Sequence, residues 1–317
     1  TSVSNGGVSA VTSGLGVYRV TENEGIGAIA RGVDVSYWQQ NVNWSQVASD
    51  NVQFAMLATR FRGNVDPFFA MNAANASQAG LRLGAYIYSY ATSVEMAQQE
   101  ADFVLNLIKD YPISFPVVFD AEDANTLGTL TQSQVSDVIN AFCKRIQDAG
   151  YYPMVYANEY WIANKIDMSK ISYDIWVAKY QQKYTYSKTS MWQASNTGSV
   201  KGVNGNVDID YLYKDYTQII PGNTWRTIAG NRYYYQNHVM QKAAWINDGQ
   251  NWYYMNAAGN PSKGWLELSG KKYYLEADFT AATMPPQIIS APRIKLGVTV
   301  SCRNSTPKIA ETSGCIG

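Results

Sequence analysis

The sequence is poor in residues on which several common active sites depend. It contains a single histidine, His238, which lies in an aromatic repeat region near the C-terminal end. A Ser-His-Asp triad, a cysteine–histidine pair and a multi-histidine zinc site are therefore not expected in the main domain. Any chemistry there must depend mainly on carboxylates.

Cysteine is equally scarce. Cys143 falls on the apolar face of a predicted helix, and we expect it to be a buried thiol. Cys302 and Cys315 lie in the C-terminal tail, where they either pair or remain free. A pair would favour an extracellular protein only weakly.

The chain also lacks an excess of either charge and any long apolar run. Only 16% of its residues are charged, and 25 basic residues balance 25 acidic ones, which excludes a general attraction to nucleic acid or to membranes. No apolar run approaches the roughly 20 residues that span a bilayer, so no membrane span is expected. With 46% hydrophobic residues, the 317-residue chain can bury a large core, and its length predicts two or three domains.

Strand-like and helical patterns alternate through the first two thirds of the chain. Thr131 and Gln134 form a capping-box pattern before an apolar stripe at helical spacing, and Thr92 and Glu95 form the same pattern before another. Eight runs are strand-like: 32–38, 52–60, 81–91, 115–122, 151–158, 173–180, 189–196 and 206–213. Eight strands with helices between the early ones predict an α/β fold, a parallel barrel related to the TIM type. The late strands are too closely spaced for full helices, so the barrel should be irregular over its second half.

The pattern changes after Pro221. Trp225, Trp245 and Trp265 recur every 20 residues, and a pair of tyrosines follows each of them after eight and nine positions. This period predicts short hairpins that stack, because one hairpin cannot bury its own aromatic face. We therefore divide the chain into an N-terminal leader or arm (1–30), a barrel (31–219), aromatic repeats (220–284) and a C-terminal tail (285–317).

Acidic residues collect at the ends of predicted strands. In FPVVFDAED, Asp120 and Glu122 share one face of a strand, with their Cα atoms roughly 6.5 Å apart, within the range for two carboxyls that flank a glycosidic bond. Asp34 lies in the first strand, and Asp208 and Asp210 lie in the last, which is its neighbour in a closed barrel. Crowded carboxylates raise at least one pKa, as a general acid requires. A magnesium or calcium site is the alternative, and a single Asp-x-Glu after a strand is often only a loop or cap feature.

Aromatic residues cluster at the same strand ends and are candidates for stacking on sugar rings. Core packing is the alternative for each one, and we favour it for Trp176; Tyr88 and Trp192 are the better cleft candidates. The cluster comprises Tyr86, Tyr88, Tyr90, Tyr156, Trp176, Tyr180 and Trp192.

Taken in order, GVDVSYWQ, VDPFFAMNAANASQAGLRLGAYIYSY, FPVVFDAED, MVYAN, IWVAKY, MWQ and VDIDYL resemble glycoside hydrolase family 25. This family contains muramidases similar to the Chalaropsis lysozyme and to phage endolysins. The resemblance covers about residues 31 to 215. It implies an irregular barrel of eight strands and five main helices, and hydrolysis of the β-1,4 bond between N-acetylmuramic acid and N-acetylglucosamine without a metal or organic cofactor.

The resemblance also implies roles for individual acids. Glu122 matches the general acid, and Asp120 matches its partner, which is either the nucleophile or the group that orients the substrate's acetamido group. Asp34 and Asp208 match the flanking acids of the cleft, and Asp210 stands where the family often has Asn. Expected substrate-binding residues are Tyr86, Tyr88, Tyr156, Tyr180, Trp192 and Asp210. Ile87 departs from the family, which often has His there, so a polar contact to substrate is expected to be missing.

The repeats resemble choline-binding repeats, which hold a quaternary ammonium between aromatic faces. Only the second repeat has a tryptophan, Trp252, immediately before its tyrosine pair. Arg232 and Lys272 occupy this position in the other repeats and would repel choline. We expect the repeats to bind choline-bearing teichoic acid or another wall polymer, or mainly to mediate packing. The candidate wall-binding residues are Trp225, Tyr233, Trp245, Trp252, Tyr253, Trp265 and Tyr273.

The combined prediction is a peptidoglycan hydrolase in the bacterial cell wall or outside the cell, either secreted or phage-encoded and released at lysis. A non-catalytic wall-binding or structural protein is a second hypothesis, which the presence of all the expected acids argues against. A chitinase is a third, and it is disfavoured because the longer Asp-rich motif of the commonest chitinase barrels is absent before Glu122.

Overall fold

The segment interpreted as an N-terminal leader or arm contains a small antiparallel sheet. The computed structural model describes residues 3–5 and 8–281, and its first strands are β1 (Val3–Asn5), β2 (Val8–Ser13) and β3 (Gly16–Val20), paired in that order. The side chains of β3 are largely exposed, apart from the buried Tyr18. This explains why no strand pattern is visible in the sequence. The backbone of Arg19 exchanges two hydrogen bonds with the Asn51 side chain, which ties the sheet to the barrel.

Eight further strands close a barrel, as predicted. In chain order the strands are β4 (Ala30–Val35), β5 (Phe54–Ala58), the short hairpin β6 (Arg60–Phe61) and β7 (Asn64–Val65), β8 (Arg82–Tyr88), β9 (Ile113–Asp120), β10 (Pro153–Asn158), β11 (Asp174–Ala178), β12 (Thr189–Gly198) and β13 (Val207–Leu212). The order around the barrel is β10-β11-β12-β13-β4-β5-β8-β9, and of the strands β4 to β13 only β6 and β7 lie outside it. All eight predicted runs are therefore barrel strands.

Five helices cover the barrel between its earlier strands. They are α1 (Trp44–Ser49), α2 (Phe69–Gln78), α3 (Val94–Ile108), α4 (Gln132–Asp148) and α5 (Glu159–Asn164). The predicted capping box of Thr131 and Gln134 is present at the start of α4. The start of α3 was predicted one residue too early, because Ser93 rather than Thr92 accepts the hydrogen bond from the Met96 N–H. Short 3-10 turns at Asn23–Gly25, Tyr37–Gln39, Leu127–Thr129, Met168–Lys170 and Tyr216–Gln218 complete the connections.

The barrel is not parallel throughout, which corrects the expectation from the sequence. Strand β13 runs antiparallel to both of its neighbours, β12 and β4. Only residues 199–206 separate β12 from β13, and a parallel crossover needs about a dozen residues or more. The chain therefore turns back as a hairpin. As a result β13 begins at the end of the barrel where the parallel strands finish.

The core has two layers, one inside the barrel and one between the strands and the helices. Along β9, Val118 belongs to the inner layer, whereas Val117 and Phe119 belong to the outer layer. This alternation directs Asp120 inward with Val118, because side chains two apart in a strand share a face. Cys143 is a buried free thiol in the outer layer, as predicted, and burial raises its pKa.

Hairpins of the predicted kind follow the barrel. Their strands are β14 (Thr224–Ile228), β15 (Asn231–Gln236), β16 (Val239–Met240), β17 (Ala244–Asn247), β18 (Trp252–Met255), β19 (Gly264–Leu268) and β20 (Lys271–Leu275). In the first hairpin the turn residues Ala229 and Gly230 both have positive φ, which is typical of the tight type I′ turn. The repeating tryptophan and the second tyrosine of each pair face one another across the hairpin, as Trp225–Tyr234, Trp245–Tyr254 and Trp265–Tyr274.

Cys302 and Cys315, whose pairing the sequence leaves open, and the tail from 285 onward lie outside the described residues. Among the helices of residues 3–5 and 8–281, none is long and apolar enough to cross a membrane.

Candidate active site

A cleft of about 530 Å³ opens at the end of the barrel where the parallel strands finish. Functional groups collect at this end in barrel enzymes, because the loops that follow the strands surround it. The residues lining the cleft are Asp34, Ser36, Trp38, Ala58, Arg60, Phe61, Arg62, Tyr86, Tyr88, Tyr90, Asp120, Glu122, Tyr156, Trp176, Tyr180, Gln193, Asn196 and Asp208. All four acids predicted to be catalytic are among them.

Asp34 and Asp208 face one another across neighbouring strands. They are direct partners in the pairing of β4 with β13, and Asp34 is only 4% exposed. Burial and the charges of Asp208 and Asp210 raise the pKa of Asp34 well above its usual value. Burial also raises the pKa of Asp208, whereas its hydrogen bond with Asp34 lowers it. The same hydrogen bond raises the pKa of Asp34, as expected if Asp34 is the partner that holds the proton.

Asp120 and Glu122 approach the same cleft from the end of β9. Asp120 is 5% exposed, and its Oδ1 has no hydrogen-bond partner in the part of the chain that the structure describes. Burial, followed by the charge of Glu122, raises the pKa of Asp120 well above its usual value. Burial also raises the pKa of Glu122, with additional effects from the charges of Asp208 and Asp123. Both carboxyls therefore retain protons at a higher pH than free carboxyls do.

Gln193 connects the acids to the aromatic wall, and the sequence analysis did not identify it. Its Nε2 donates to Asp34 Oδ2 over 2.7 Å. Its Oε1 accepts hydrogen bonds from the hydroxyls of Tyr156, at 2.8 Å, and Tyr180, at 2.6 Å. Because both the nitrogen and the oxygen of its amide are hydrogen-bonded in this way, Gln193 holds Asp34 in a defined orientation. Gln193 is the last residue of the MWQ motif, from which only Trp192 was predicted to bind substrate.

Two predicted substrate-binding residues do not line the cleft. Trp192 is 1% exposed, belongs to the outer core layer and donates its Nε1–H to the Lys179 carbonyl. It alternates with Gln193 along β12, and it is Gln193 that faces the barrel interior. Asp210 is fully buried and accepts a 2.9 Å hydrogen bond from Trp176 Nε1. Asp210 therefore lies beneath Trp176, which is 1% exposed and packs in the inner core layer, as favoured from the sequence, while it also borders the cleft.

The aromatic positions on β8 follow the same alternation. Tyr86 and Tyr88 line the cleft, as expected of candidate substrate contacts. Ile87 between them is fully buried in the outer core layer. The replacement of the family's histidine by Ile87 therefore affects the packing outside the barrel rather than a contact within the cleft. Tyr88 donates a 3.2 Å hydrogen bond to Asp123, whose other oxygen accepts from the backbone of the following loop.

One side of the cleft has an aromatic rim that was not predicted from the sequence. Trp38 is 66% exposed and contacts Phe61 edge-on, with 5.7 Å between ring centroids. The guanidinium of Arg62 lies 5.0 Å from the centre of the Phe61 ring. Exposed rings beside a polar cleft suit the apolar faces of sugars. The short hairpin of β6 and β7 that carries Phe61 follows β5 without any distinctive sequence pattern.

Within the described ranges, no three His, Cys, Asp or Glu side chains are placed to hold a metal ion together. The cleft instead presents two pairs of carboxyls, tyrosine hydroxyls and the amides of Gln193 and Asn196.

Comparison with known proteins assigns the family. The model of glycosyl hydrolases family 25 matches residues 33–203, which is more than half of the chain. The chain belongs to glycosyl hydrolases family 25. The family 25 hydrolase is 31% identical to YegX of Escherichia coli K12 over 189 residues, covering 56% of this chain and 68% of YegX.

Lysozymes are among the relatives of this family 25 hydrolase. It is 30% identical to lysozyme M1 of Streptomyces globisporus over 195 residues, covering 56% of this chain and 66% of that protein. The solved bacterial lysozyme of Streptomyces coelicolor is 26% identical and superposes with a TM-score of 0.50, covering 60% of this chain and 95% of that one. Cell wall binding repeats of the Choline_bind_1 model match residues 244–260 and 263–278.

The repeats of the family 25 hydrolase stack through their tryptophans. Trp225 packs edge-on against Tyr253 of the next hairpin at 4.9 Å, and Trp245 packs against Tyr273 at 5.1 Å. Among the described residues, Trp265 has a contact of this kind only within its own hairpin, and it is 63% exposed.

The first and second repeats differ in the side chain that stands immediately before the tyrosine pair. The guanidinium of Arg232 lies 4.2 Å from the centre of the Trp225 ring. One repeat further along the chain the equivalent residue is Trp252, whose buried Nε1 has no hydrogen-bond partner in residues 3–5 and 8–281. Tyr233, in the first hairpin, lies against the barrel, with Lys109 Nζ 5.8 Å from its ring centre.

Proposed function

We propose that this family 25 glycosyl hydrolase is a muramidase, which hydrolyses the β-1,4 bond between N-acetylmuramic acid and N-acetylglucosamine in peptidoglycan. The observation that carries the proposal is the convergence of Asp34, Asp120, Glu122 and Asp208 on one cleft. The lysozyme relatives support the choice of substrate. The cleft is polar at its floor and aromatic at its rim, as the binding of a glycan requires.

Glu122 is the proposed general acid. It is less buried than Asp120, so its carboxyl can reach the glycosidic oxygen, and its raised pKa lets it carry a proton to that oxygen. Departure of the leaving group creates an oxocarbenium-like centre that a nearby carboxylate stabilises. Asp120 is the partner, either as nucleophile or by holding the acetamido group whose oxygen attacks.

Asp34 and Asp208 are the proposed flanking acids. A pair that shares one proton carries a single negative charge, which favours the positive charge developing on the sugar. Gln193 fixes Asp34 in position through its hydrogen bond. Of the predicted substrate contacts, Tyr86, Tyr88, Tyr156 and Tyr180 remain candidates, and the rim residue Trp38 joins them.

The test is the substitution Glu122→Gln, which keeps the size of the side chain and removes its proton transfer. We expect the rate of peptidoglycan cleavage to fall by about 10²–10⁴-fold, the usual contribution of a general acid. The matched control is Glu95→Gln on the exposed side of α3, which should leave the rate unchanged. Near wild-type activity in Glu122→Gln would refute the role.

The bond that is cleaved tests the substrate separately. Mass analysis of the fragments released from purified walls should find new reducing ends on muramic acid. Cleavage of chitin without cleavage of walls would replace the muramidase proposal with that of a chitinase.

For the repeats we propose binding to a cell wall polymer, with choline-bearing teichoic acid as the ligand class. Arg232 supplies an internal cation to the ring of Trp225, so the first repeat is closed to an external ammonium. The aromatic position of Trp252 leaves the second repeat open. The proposed organisation is thus a catalytic barrel (31–219) anchored through repeats (220–284) at the cell wall, outside the cell.

A further inference from the structure

A second cavity of about 490 Å³ lies beside the cleft, and the catalytic arrangement makes no use of it. Its lining shares Tyr180 and Asn196 with the cleft, so it begins at the cleft rim. From there it runs along β12 to Glu22 and Arg31. Its volume lies in the range of about 300–1,000 Å³ that is usual for ligand sites. We call it the side groove.

One wall of the side groove is a free strand edge. Strand β11 ends at Ala178, which pairs with Gln193, and the last bond on this side runs from the Lys179 N–H to the Gln193 carbonyl. The part of β12 from 194 to 198 continues beyond that point, and among the described residues no strand pairs with it on this side. An exposed edge of this kind binds extended peptides by adding them as a further strand.

The pairing of the same segment with β13 is also irregular. The register shifts between Gln193 and Ser195 and again between Ser195 and Gly198, which leaves Asn196 and Thr197 without a partner in β13. Thr197 turns its N–H to the Ser195 hydroxyl instead. The groove therefore offers backbone groups, hydroxyls and an amide, all of which suit the repeating N–H and C=O groups of a peptide.

Charged groups lie at the inner end of the side groove. Arg31 is 4% exposed, pairs with Glu22 at 3.0 Å, and keeps an Nε–H without a partner in the described part of the chain. Glu22 also accepts a hydrogen bond from the Tyr211 hydroxyl. Glu24, by contrast, is exposed and makes no ion pair or hydrogen bond with the described residues. Glu24 is thus available to an ammonium group at this end of the groove, whereas the Arg31 Nε–H is buried.

We propose that the side groove binds the peptide arm of the glycan strand that lies in the cleft. The inference rests on the proposed muramidase function, because muramic acid carries its peptide on the sugar that the cleft must hold. The arm leaves the cleft past Tyr180 and Asn196 and pairs with the free edge of β12. An amino group on the arm lies towards Glu24. The enzyme therefore prefers glycan that still bears peptide over bare glycan.

The test compares two soluble substrates, namely glycan strands with peptides attached and the same strands after an amidase has removed the peptides. Thr197→Trp fills the exposed side of the groove and should raise KM for the peptide-bearing strands about tenfold, a change equivalent to roughly 1.4 kcal/mol, with kcat unchanged. The KM for bare glycan should stay within about twofold. Glu24→Gln should raise KM about threefold, as a partly exposed ion pair would, but only when the amino groups of the peptide are not acetylated.

Matched controls are Thr12→Trp, on the exposed face of β2, and Glu267→Gln, in the hairpin of β19 and β20. Both should leave KM unchanged for the peptide-bearing strands and for bare glycan. Equal effects of Thr197→Trp on both substrates would show that the groove holds sugar, and an unchanged KM for both would show that it holds neither; either result overturns the inference. Failure of the wild-type chain to cleave either substrate would instead refute the muramidase proposal itself.

Discussion

At the scale of single residues, the cleft concentrates acids whose charges the fold does not neutralise. Asp34 and Asp120 are nearly inaccessible, and no basic side chain pairs with either of them in the described residues. Burial is the largest cause of the raised pKa of both. The hydrogen bond from Gln193 to Asp34 acts in the opposite direction but does not cancel the effect. These carboxyls therefore destabilise the folded state once they are ionised.

The pH dependence of stability should reveal this at Asp34. A carboxyl with a raised folded pKa stabilises the fold fully below its unfolded value of about 3.9, and that contribution is lost as pH rises through the folded pKa. Asp34→Asn removes the ionisable group, so this loss of stability does not occur. The asparagine oxygen still accepts the hydrogen bond from Gln193. We expect Asp34→Asn to raise Tm at pH 7 by several degrees, since about 1 kcal/mol shifts Tm by ~2–4 °C in domains of this size.

Calorimetry from pH 3 to pH 8 is the measurement. The higher Tm of Asp34→Asn should disappear below about pH 4, where the wild-type carboxyl is protonated in both the folded and the unfolded state. Cleavage of peptidoglycan should be lost at every pH. Asp137→Asn, on the exposed face of α4, is the control and should shift Tm little. A Tm difference independent of pH would contradict the argument.

At the scale of elements, the hairpin repeats share one aromatic packing arrangement but differ at the residue before the tyrosine pair. The first two hairpins pack their tryptophans against a tyrosine of the next hairpin, so the units depend on stacking. Arg232 and Trp252 occupy equivalent places 20 residues apart, yet one supplies a cation and the other an aromatic face. The choice of residue at this place therefore decides whether a repeat is open to an external cation.

Exchanging these residues should transfer binding from one repeat to another. The wild-type chain should bind about one choline, Arg232→Trp about two, and Trp252→Arg none, because a cation already present over an aromatic ring competes with an external one. Calorimetric titration of the full chain with choline measures the stoichiometry.

Lys272→Arg is the control, since it keeps a cation in the last hairpin and should leave the stoichiometry unchanged. Undiminished choline binding by Trp252→Arg would contradict the assignment of the site.

At the scale of the whole molecule, the cleft and the repeats lie at opposite ends of the barrel. The first hairpin docks where β9 and β10 begin: the Arg226 guanidinium lies between the rings of Tyr151 and Tyr235, at 3.8 and 4.2 Å. The Tyr235 hydroxyl donates to the Lys109 carbonyl over 2.7 Å. The length of β9 separates this contact from Asp120 by about 20 Å. An anchor at this end leaves the cleft open to the glycan.

Removing the buried cation should loosen the attachment. Arg226→Ala removes both ring contacts and should destabilise the docked repeats by about 2–3 kcal/mol, because a desolvated cation–π contact contributes roughly 2 kcal/mol or more. Calorimetry should show the repeats unfolding before the barrel, with cleavage of soluble glycan retained. Arg145→Ala, which breaks only the exposed pair with Asp102, is the control. Identical unfolding of the two variants would contradict this role of Arg226.

Local pattern was enough to predict most elements of the chain. Alternating apolar residues identified all eight barrel strands, the pattern of Thr131 and Gln134 identified the start of α4, and the period of the tryptophans identified the hairpins. These predictions succeeded because periodicity and capping depend on neighbours within a few positions in the chain. The N-terminal sheet lacked such a pattern, since nearly all of β3 is exposed.

The sequence by itself determined that the chemistry must depend on acids and that Asp34, Asp120, Glu122 and Asp208 were the candidates. Only the tertiary structure decided which neighbours act with them. It reversed β13, turned Trp192 out of the barrel and Gln193 into it, and placed Asp210 beneath Trp176. The direction of a strand and the face that a side chain takes depend on pairing between distant segments. The short connection 199–206 already favours the antiparallel direction of β13, but spacing along the chain does not specify the register of distant strands. The positions of Trp192, Gln193 and Asp210 therefore follow only from the closed barrel.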